Sequence, residues 1–260
     1  MSGQVYLTGI VLSAMPVNDY DRRLSILTFE HGRVSAFARG ARRPKNQLTA
    51  ASQPFTYGKF TAYEGKDSFT VTACEEATYF DKLAYDPDKV YYGMYFCELM
   101  EYLTRENSED REQVKLLYTT LSALSKGVIS LKLIRRIFEL RAISNYGEAP
   151  NIFECSVCHK KTSDNGWFLN KKRNVLVCRE CSISLPHDAS EGHSGDDIFI
   201  SETVRYTMHY CITSPLKKLY GFSLTDTAFE EFNALIDGYV KRHVDKKLKS
   251  LEILEFCGDN

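Results

Sequence analysis

Two closely spaced cysteine pairs narrow what this chain can fold into more than any other feature. Cys155-x2-Cys158 and Cys178-x2-Cys181 are separated by nineteen residues. Each pair can set two thiolates on one tight turn, and a hairpin between them brings four sulfurs to a tetrahedral centre. Soft thiolates in that arrangement favour zinc, with rubredoxin-like iron as the competing metal. Four thiolates leave no open position for water, so the expected ion is one structural Zn2+ on Cys155, Cys158, Cys178 and Cys181. His159 directly follows a ligand and reads as a surface residue. Gly166, Trp167 and Phe168 are expected to cover the knuckles, and Lys171, Lys172 and Arg173 to form a basic hairpin tip. Such a tip suits either a solvated turn or a contact with nucleic acid or protein. Cys74, Cys97, Cys211 and Cys257 have no regular spacing. They read as small buried hydrophobes or idle thiols of a reducing compartment.

The rest of the chain divides by hydrophobic period. Val5–Leu12, Leu24–Phe29, Arg33–Arg39, Phe55–Glu64 and Ser68–Cys74 are rich in β-branched and aromatic residues. Asn18-Asp19, His31-Gly32 and Gly65-Lys66-Asp67 supply turns between most of them. Five strands in so short a span suit a small closed barrel better than an open sheet with bare edges. An SH3-like barrel is the alternative. From Lys82 onward the period is helical. Helices are expected over Val90–Leu103, Asp110–Ser125 and Leu131–Asn145, with a long final one from Thr227 to Phe256. Thr227 and Glu230 form a capping-box pattern at its start. Phe229, Phe232, Ile236, Tyr239 and His243 share a stripe on which the histidine reads as packed. Pro186–Asp197 is polar and reads as a loop. The expected fold is α+β: a five-stranded OB-type barrel over 1–80, then a helical domain over 81–260 with the four-cysteine zinc ribbon at 152–185.

Charge points to a partner. The net charge is only −1, yet Arg22, Arg23, Arg33, Arg39, Arg42, Arg43 and Lys45 face a single acid, Glu30, across the same stretch. A local basic patch on a near-neutral chain suits a surface that meets a polyanion on one side. Alternation puts Val34, Ala36 and Ala38 on one face of a strand and Arg33, Ser35, Phe37 and Arg39 on the other. That outer face joins cations for phosphates to a ring on which a base can stack, as single-strand binding requires. The candidate DNA-binding set is therefore Arg22, Arg23, Arg33, Phe37, Arg39, Arg42, Arg43 and Lys45. Tyr57, Lys59 and Tyr63 share another strand face and extend the platform or belong to the core. Lys132, Arg135 and Arg136 lie one turn apart with Glu139 below, as a solvent face or a site for an acidic peptide. No apolar run is long enough to cross a bilayer, and Met1 to Leu12 lacks the pattern of a signal peptide. The expected location is cytoplasmic and nucleoid-associated, with no membrane partner.

With barrel, helices and cysteine ribbon in this order, the chain resembles the RecO family of bacterial recombination mediators. The resemblance spans nearly the whole chain. It is carried by Gly9-Ile10-Val11-Leu12, Asp19-Tyr20-Asp21-Arg22-Arg23-Leu24, Leu27-Thr28-Phe29-Glu30-His31-Gly32-Arg33-Val34 and Gln53-Pro54-Phe55. Phe138-Glu139-Leu140-Arg141, Gly147-Glu148-Ala149-Pro150 and Leu248-Lys249-Ser250-Leu251 add to it. Gly40-Ala41-Arg42-Arg43-Pro44-Lys45, which follows Arg39, is its most distinctive run. The family often has glycine where this chain has His159, and a glycine pair where it has Asn174-Val175. The resemblance implies a protein that binds single- and double-stranded DNA and anneals complementary strands. With RecR, it implies loading of RecA onto strands coated by single-strand-binding protein. It also implies recognition of that protein's acidic C-terminal tail by the helical domain, with Arg135 and Arg136 as candidates.

Two other classes compete with a DNA-binding mediator. An enzyme acting on nucleic acid lacks support here: there is no phosphate-binding glycine loop and no His-Glu-x-x-His. The acidic pairs Glu75-Glu76 and Asp196-Asp197 have no recognisable metal-nuclease setting. A zinc-ribbon interaction module without a nucleic-acid role is the third reading.

Overall fold

The computed structural model describes residues 3–108, 110–163, 165–171, 173–184 and 197–257. Lys172, Asp196 and most of the loop expected at Pro186–Asp197 lie outside that set. The chain forms two compact units, Met1–Arg135 with Lys246–Asn260, and Arg136–Asp245.

The first unit is built on a closed barrel with strand order β1-β2-β3-β5-β4. The strands are β1 (Gln4–Val17), β2 (Asp21–Thr28), β3 (Gly32–Ala38), β4 (Tyr57–Glu64) and β5 (Phe69–Thr78). β3 and β5 run parallel while every other pair is antiparallel. This Greek-key order is that of an OB barrel and decides against the SH3-like alternative. Fourteen residues let β1 serve both edges, pairing with β4 through Gln4–Ile10 and with β2 through Gly9–Val17. Gly9 sits in both ladders, and a Cβ there would lie 2.1 Å from the Leu27 carbonyl oxygen. Only glycine lets the barrel close at that point. Leu7, Val11, Leu24, Ile26, Val34, Ala36, Phe60 and Ala62 fill the interior. The short helix α1 (Leu48–Ala51) adds Leu48 to this core.

Helices α2 (Asp81–Ala84), α3 (Pro87–Leu103) and α4 (Arg111–Lys126) follow the barrel. α3 is apolar over most of its circumference because it packs on β1, β2, α2 and α4. Asp86 caps its start by accepting from the Lys89 amide. Gly127, in a left-handed conformation, ends α4.

The second unit begins within α5 (Leu131–Ile143), which runs into a widened, π-type turn at Ser144–Glu148. Its sheet, ordered β6-β8-β7-β9, comprises Asn151–Cys155 (β6), Trp167–Asn170 (β7), Val175–Cys178 (β8) and Ile198–Ile200 (β9). α6 (Arg179–Ser184), α7 (Glu202–Thr213) and α8 (Asp226–His243) complete the unit, and α9 (Lys249–Cys257) returns to the first.

The expected single final helix is therefore two. Val244 leaves helical geometry, with φ −118° and ψ 96°, and a new helix starts at Lys249. Glu98 of α3 accepts from the backbone N–H groups of Lys249 and Ser250 and from the Ser250 hydroxyl. That carboxylate satisfies donors a continuous helix would have used internally. The capping residue also differs from expectation: Thr225, not Thr227, accepts from the Ala228 amide. His243 packs its ring 4.5 Å from that of Tyr239. Cys97 and Cys211 are buried and Cys74 partly so, while the Cys257 side chain lies outside the described set.

Candidate nucleic-acid interface and metal centre

Alternation along β3 runs as the sequence requires. Val34, Ala36 and Ala38 are buried, and Arg33, Ser35 and Phe37 stand half-buried on the outer side. Arg23 lies directly opposite Phe37, so ring and guanidinium share a face. Beyond β3 the chain turns at Gly40, whose φ of +66° suits glycine and whose N–H donates to the Asp21 carboxylate at 2.7 Å. Ala41 is fully buried, which pins the loop and leaves Arg42, Arg43 and Lys45 exposed. Arg43 lies over the Tyr20 ring at 5.0 Å, and Arg42 donates to the Asn18 carbonyl.

The seven cations are not equivalent. Arg22 donates to the Thr49 carbonyl at 2.9 Å and the Ser52 hydroxyl at 2.7 Å, tethering α1. Arg33 donates to the Thr104 carbonyl at 3.2 Å at the end of α3. Arg23, Arg39, Arg42, Arg43 and Lys45 are exposed. Among the described residues no carboxylate forms an ion pair with any of the seven. Packing separates the two tyrosines of β4. Tyr57 sets its ring 4.9 Å from Tyr118 of α4, whereas Tyr63 is 43% exposed.

Lys132, Arg135 and Arg136 do not form one exposed stripe. Lys132 is exposed. Arg135 lies over the Tyr95 ring at 5.1 Å, and its side chain is 11% exposed. Arg136 is buried, pairing with Glu139 at 2.9 Å and Asp237 at 3.1 Å and donating to the Asn233 amide oxygen at 2.6 Å.

The four cysteines converge. Their sulfurs all lie within 4.8 Å of one another, and Cys158 and Cys178 are 3.7 Å apart. Four thiolates about 2.3 Å from a tetrahedral ion stand about 3.8 Å from each other, so the cluster fits a metal and is too open for disulfides. Cys155 closes β6, Cys178 closes β8, and Cys181 follows in α6. Burial raises the Cys155 thiol, but N–H donors from Cys158, Cys178 and Val157 outweigh it and bring it to about 7. Burial pushes Cys181 to about 11 and Cys178 further up. A bound cation is what would let four such thiolates coexist. His159 is turned away, 72% exposed and 2.9 Å from Glu154. It and Asn174 hold φ near +59° and +58°, the left-handed turns that glycine adopts most readily. Trp167 is fully buried beside Cys178, donates to Glu202 at 2.5 Å and lies under the Arg205 guanidinium at 5.3 Å. Phe168 packs against Phe199 of β9.

Comparison with known proteins decides the family. The recombination protein O N-terminal profile matches residues 1–80, and the C-terminal profile matches 84–252. The chain belongs to the RecO family. A RecO described as a DNA repair protein in Alkaliphilus metalliredigens is 30% identical, covering 94% of this chain and 96% of its own. The RecO of Acetivibrio thermocellus is 28% identical over 95% of both chains, and that of Moorella thermoacetica 26% identical over all of this one. The OB barrel lies within the N-terminal match, and the cysteine cluster lies within the C-terminal one. No described helix is long and apolar enough to cross a membrane.

Proposed function

We propose that this RecO chain is a non-catalytic DNA repair and recombination mediator. It binds single- and double-stranded DNA on the outer face of β3 and the basic loop beyond it, and it anneals complementary strands. With RecR it helps load RecA onto strands coated by single-strand-binding protein, in a cytoplasmic, nucleoid-associated setting. The acidic tail of that coating protein is met by the helical part of the chain, where Lys132 is exposed. The cysteine cluster holds one structural Zn2+ and takes no part in chemistry.

One observation carries the DNA reading: five exposed cations stand beside the half-buried Phe37 ring and along the loop that follows it, and none is neutralised by a carboxylate among the described residues. Phosphates would release counterions to those cations, and an unpaired base would stack on Phe37. Arg22 tethers α1 and Arg33 ties β3 to the end of α3, so both brace the surface.

The test is a titration of labelled single strands at rising salt. Arg39→Ala with Arg42→Ala should weaken binding and flatten the salt dependence by roughly one unit of slope per lost contact. Phe37→Ala should weaken single-strand binding by about 1–3 kcal/mol and duplex binding less. An unchanged slope, or equal losses on both substrates, would move the interface elsewhere.

A further inference from the structure

We infer that an unpaired strand bound at Phe37 continues around the barrel wall to a second stacking site, formed by Tyr63 and Tyr6. The inference rests on the nucleic-acid reading above and extends it to residues on β4 and β1.

The register of the barrel supplies the track. Arg23, Phe37, Thr70, Tyr63 and Gln4 are successive lateral partners on β2, β3, β5, β4 and β1. Laterally paired residues share a face, so the outward direction of Phe37 sets that of the whole row. Neighbouring strands lie about 4.8 Å apart, so Phe37 and Tyr63 are about 10 Å apart along the wall, or about three rises of a stacked strand. The wall also turns by about a fifth of a circle at each strand, so a bound chain would wrap. Thr70, between the two rings, is small and leaves the track open.

The far end is built for stacking. Tyr63 is 43% exposed and Tyr6 is 51% exposed, two residues along β1 from Gln4 and on the same face. Lys59 sets its ammonium 4.6 Å from the centre of the Tyr6 ring, and Gln4 donates to the Tyr6 hydroxyl at 3.5 Å. These contacts hold the ring while leaving half of it open. Tyr57, on the same side of β4, is instead spent on Tyr118. Charge separates the two ends of the track. Lys59 lies opposite Glu75, and Glu64 closes β4, so this arm carries no surplus of cations. It adds stacking without adding counterion release.

The experiment uses the full chain and fluorescence anisotropy with labelled oligothymidylates of about 4 and about 16 nucleotides, the range that one OB barrel occupies. Four proteins are compared: wild type, Tyr6→Ala/Tyr63→Ala, Tyr6→Phe/Tyr63→Phe, and Arg39→Ala/Arg42→Ala. The double alanine variant should lose about 10-fold or more in affinity for the longer strand, with an unchanged salt slope. It should bind the shorter strand as wild type does, and the double phenylalanine variant should match wild type on both. Unaltered long-strand affinity in the alanine variant, with Arg39→Ala/Arg42→Ala still weakened, would remove the second site alone. Equal loss on both lengths, or a lowered melting temperature with loss in the phenylalanine variant, would assign the tyrosines to barrel stability. A wild type that ignores both strands would overturn the interface itself.

Discussion

Arg22 and Arg23 are neighbours in sequence, yet alternation along β2 sends them to different work. Arg22 shares the parity of the core residues Leu24 and Ile26 and ends up donating to Thr49 and Ser52. Arg23 takes the opposite parity and stands beside Phe37. The same divergence separates Lys132 from Arg136 on α5. Arg136 meets Glu139, which is fully buried, together with Asp237 and Asn233. Removing one partner of a buried pair costs about 3–5 kcal/mol, because the remaining charge loses its compensation. Arg136→Ala should therefore lower the urea midpoint by that order, while Lys132→Ala should stay within about 0.5 kcal/mol. A silent Arg136→Ala would mean that the network does not bear on stability.

Elements were legible where punctuation is local. Asn18, in a left-handed turn, separates β1 from β2, and Gly32 opens β3 where a Cβ would meet the Arg105 carbonyl oxygen at 2.5 Å. The break between α8 and α9 has no glycine or proline to announce it. It depends on Glu98, more than a hundred residues away. Burial raises the Glu98 carboxyl, but donors from Ser250 and Lys249 outweigh that and hold it below the ordinary carboxylate range. A carboxyl with a lowered folded-state pKa contributes stability above its unfolded value and loses it as pH falls through the folded one. Hydrogen-exchange protection of the α9 amides should thus be full near neutrality and decline in acid. Glu98→Ala should cost about 0.5–2 kcal/mol of that protection already at pH 7. Protection in the variant equal to wild type at both pH values would mean that α9 is held by its apolar face alone.

For the whole molecule, the four-cysteine cluster belongs to the unit Arg136–Asp245 and the barrel to Met1–Arg135 with the C-terminal helix. Trp167 is the only tryptophan, is fully buried, and pairs across the sheet with Cys178. Its fluorescence therefore reports on the second unit. Metal binding by four cysteines is worth on the order of 10 kcal/mol in isolated zinc peptides, enough to decide whether so small a sheet folds. Chelation should shift Trp167 emission to the red and release one zinc per chain, while the barrel's β signal persists. An unshifted emission after complete metal removal would show that the sheet stands without the ion.

Sequence by itself determined what depends on short separations: the alternation that faces Phe37 outward, the tight turns of the cysteine pairs, and the basic run from Arg39 to Lys45. Periodicity and ligand spacing are properties of a few adjacent residues, so they survive without a fold. Tertiary structure alone decided which cations stay open, where the last helix breaks, and which tyrosine of β4 is covered. Each of those outcomes depends on a partner brought near by folding: Thr49 for Arg22, Glu98 for Ser250, Tyr118 for Tyr57. Burial and hydrogen bonding are set by such distant neighbours, and no local pattern encodes them.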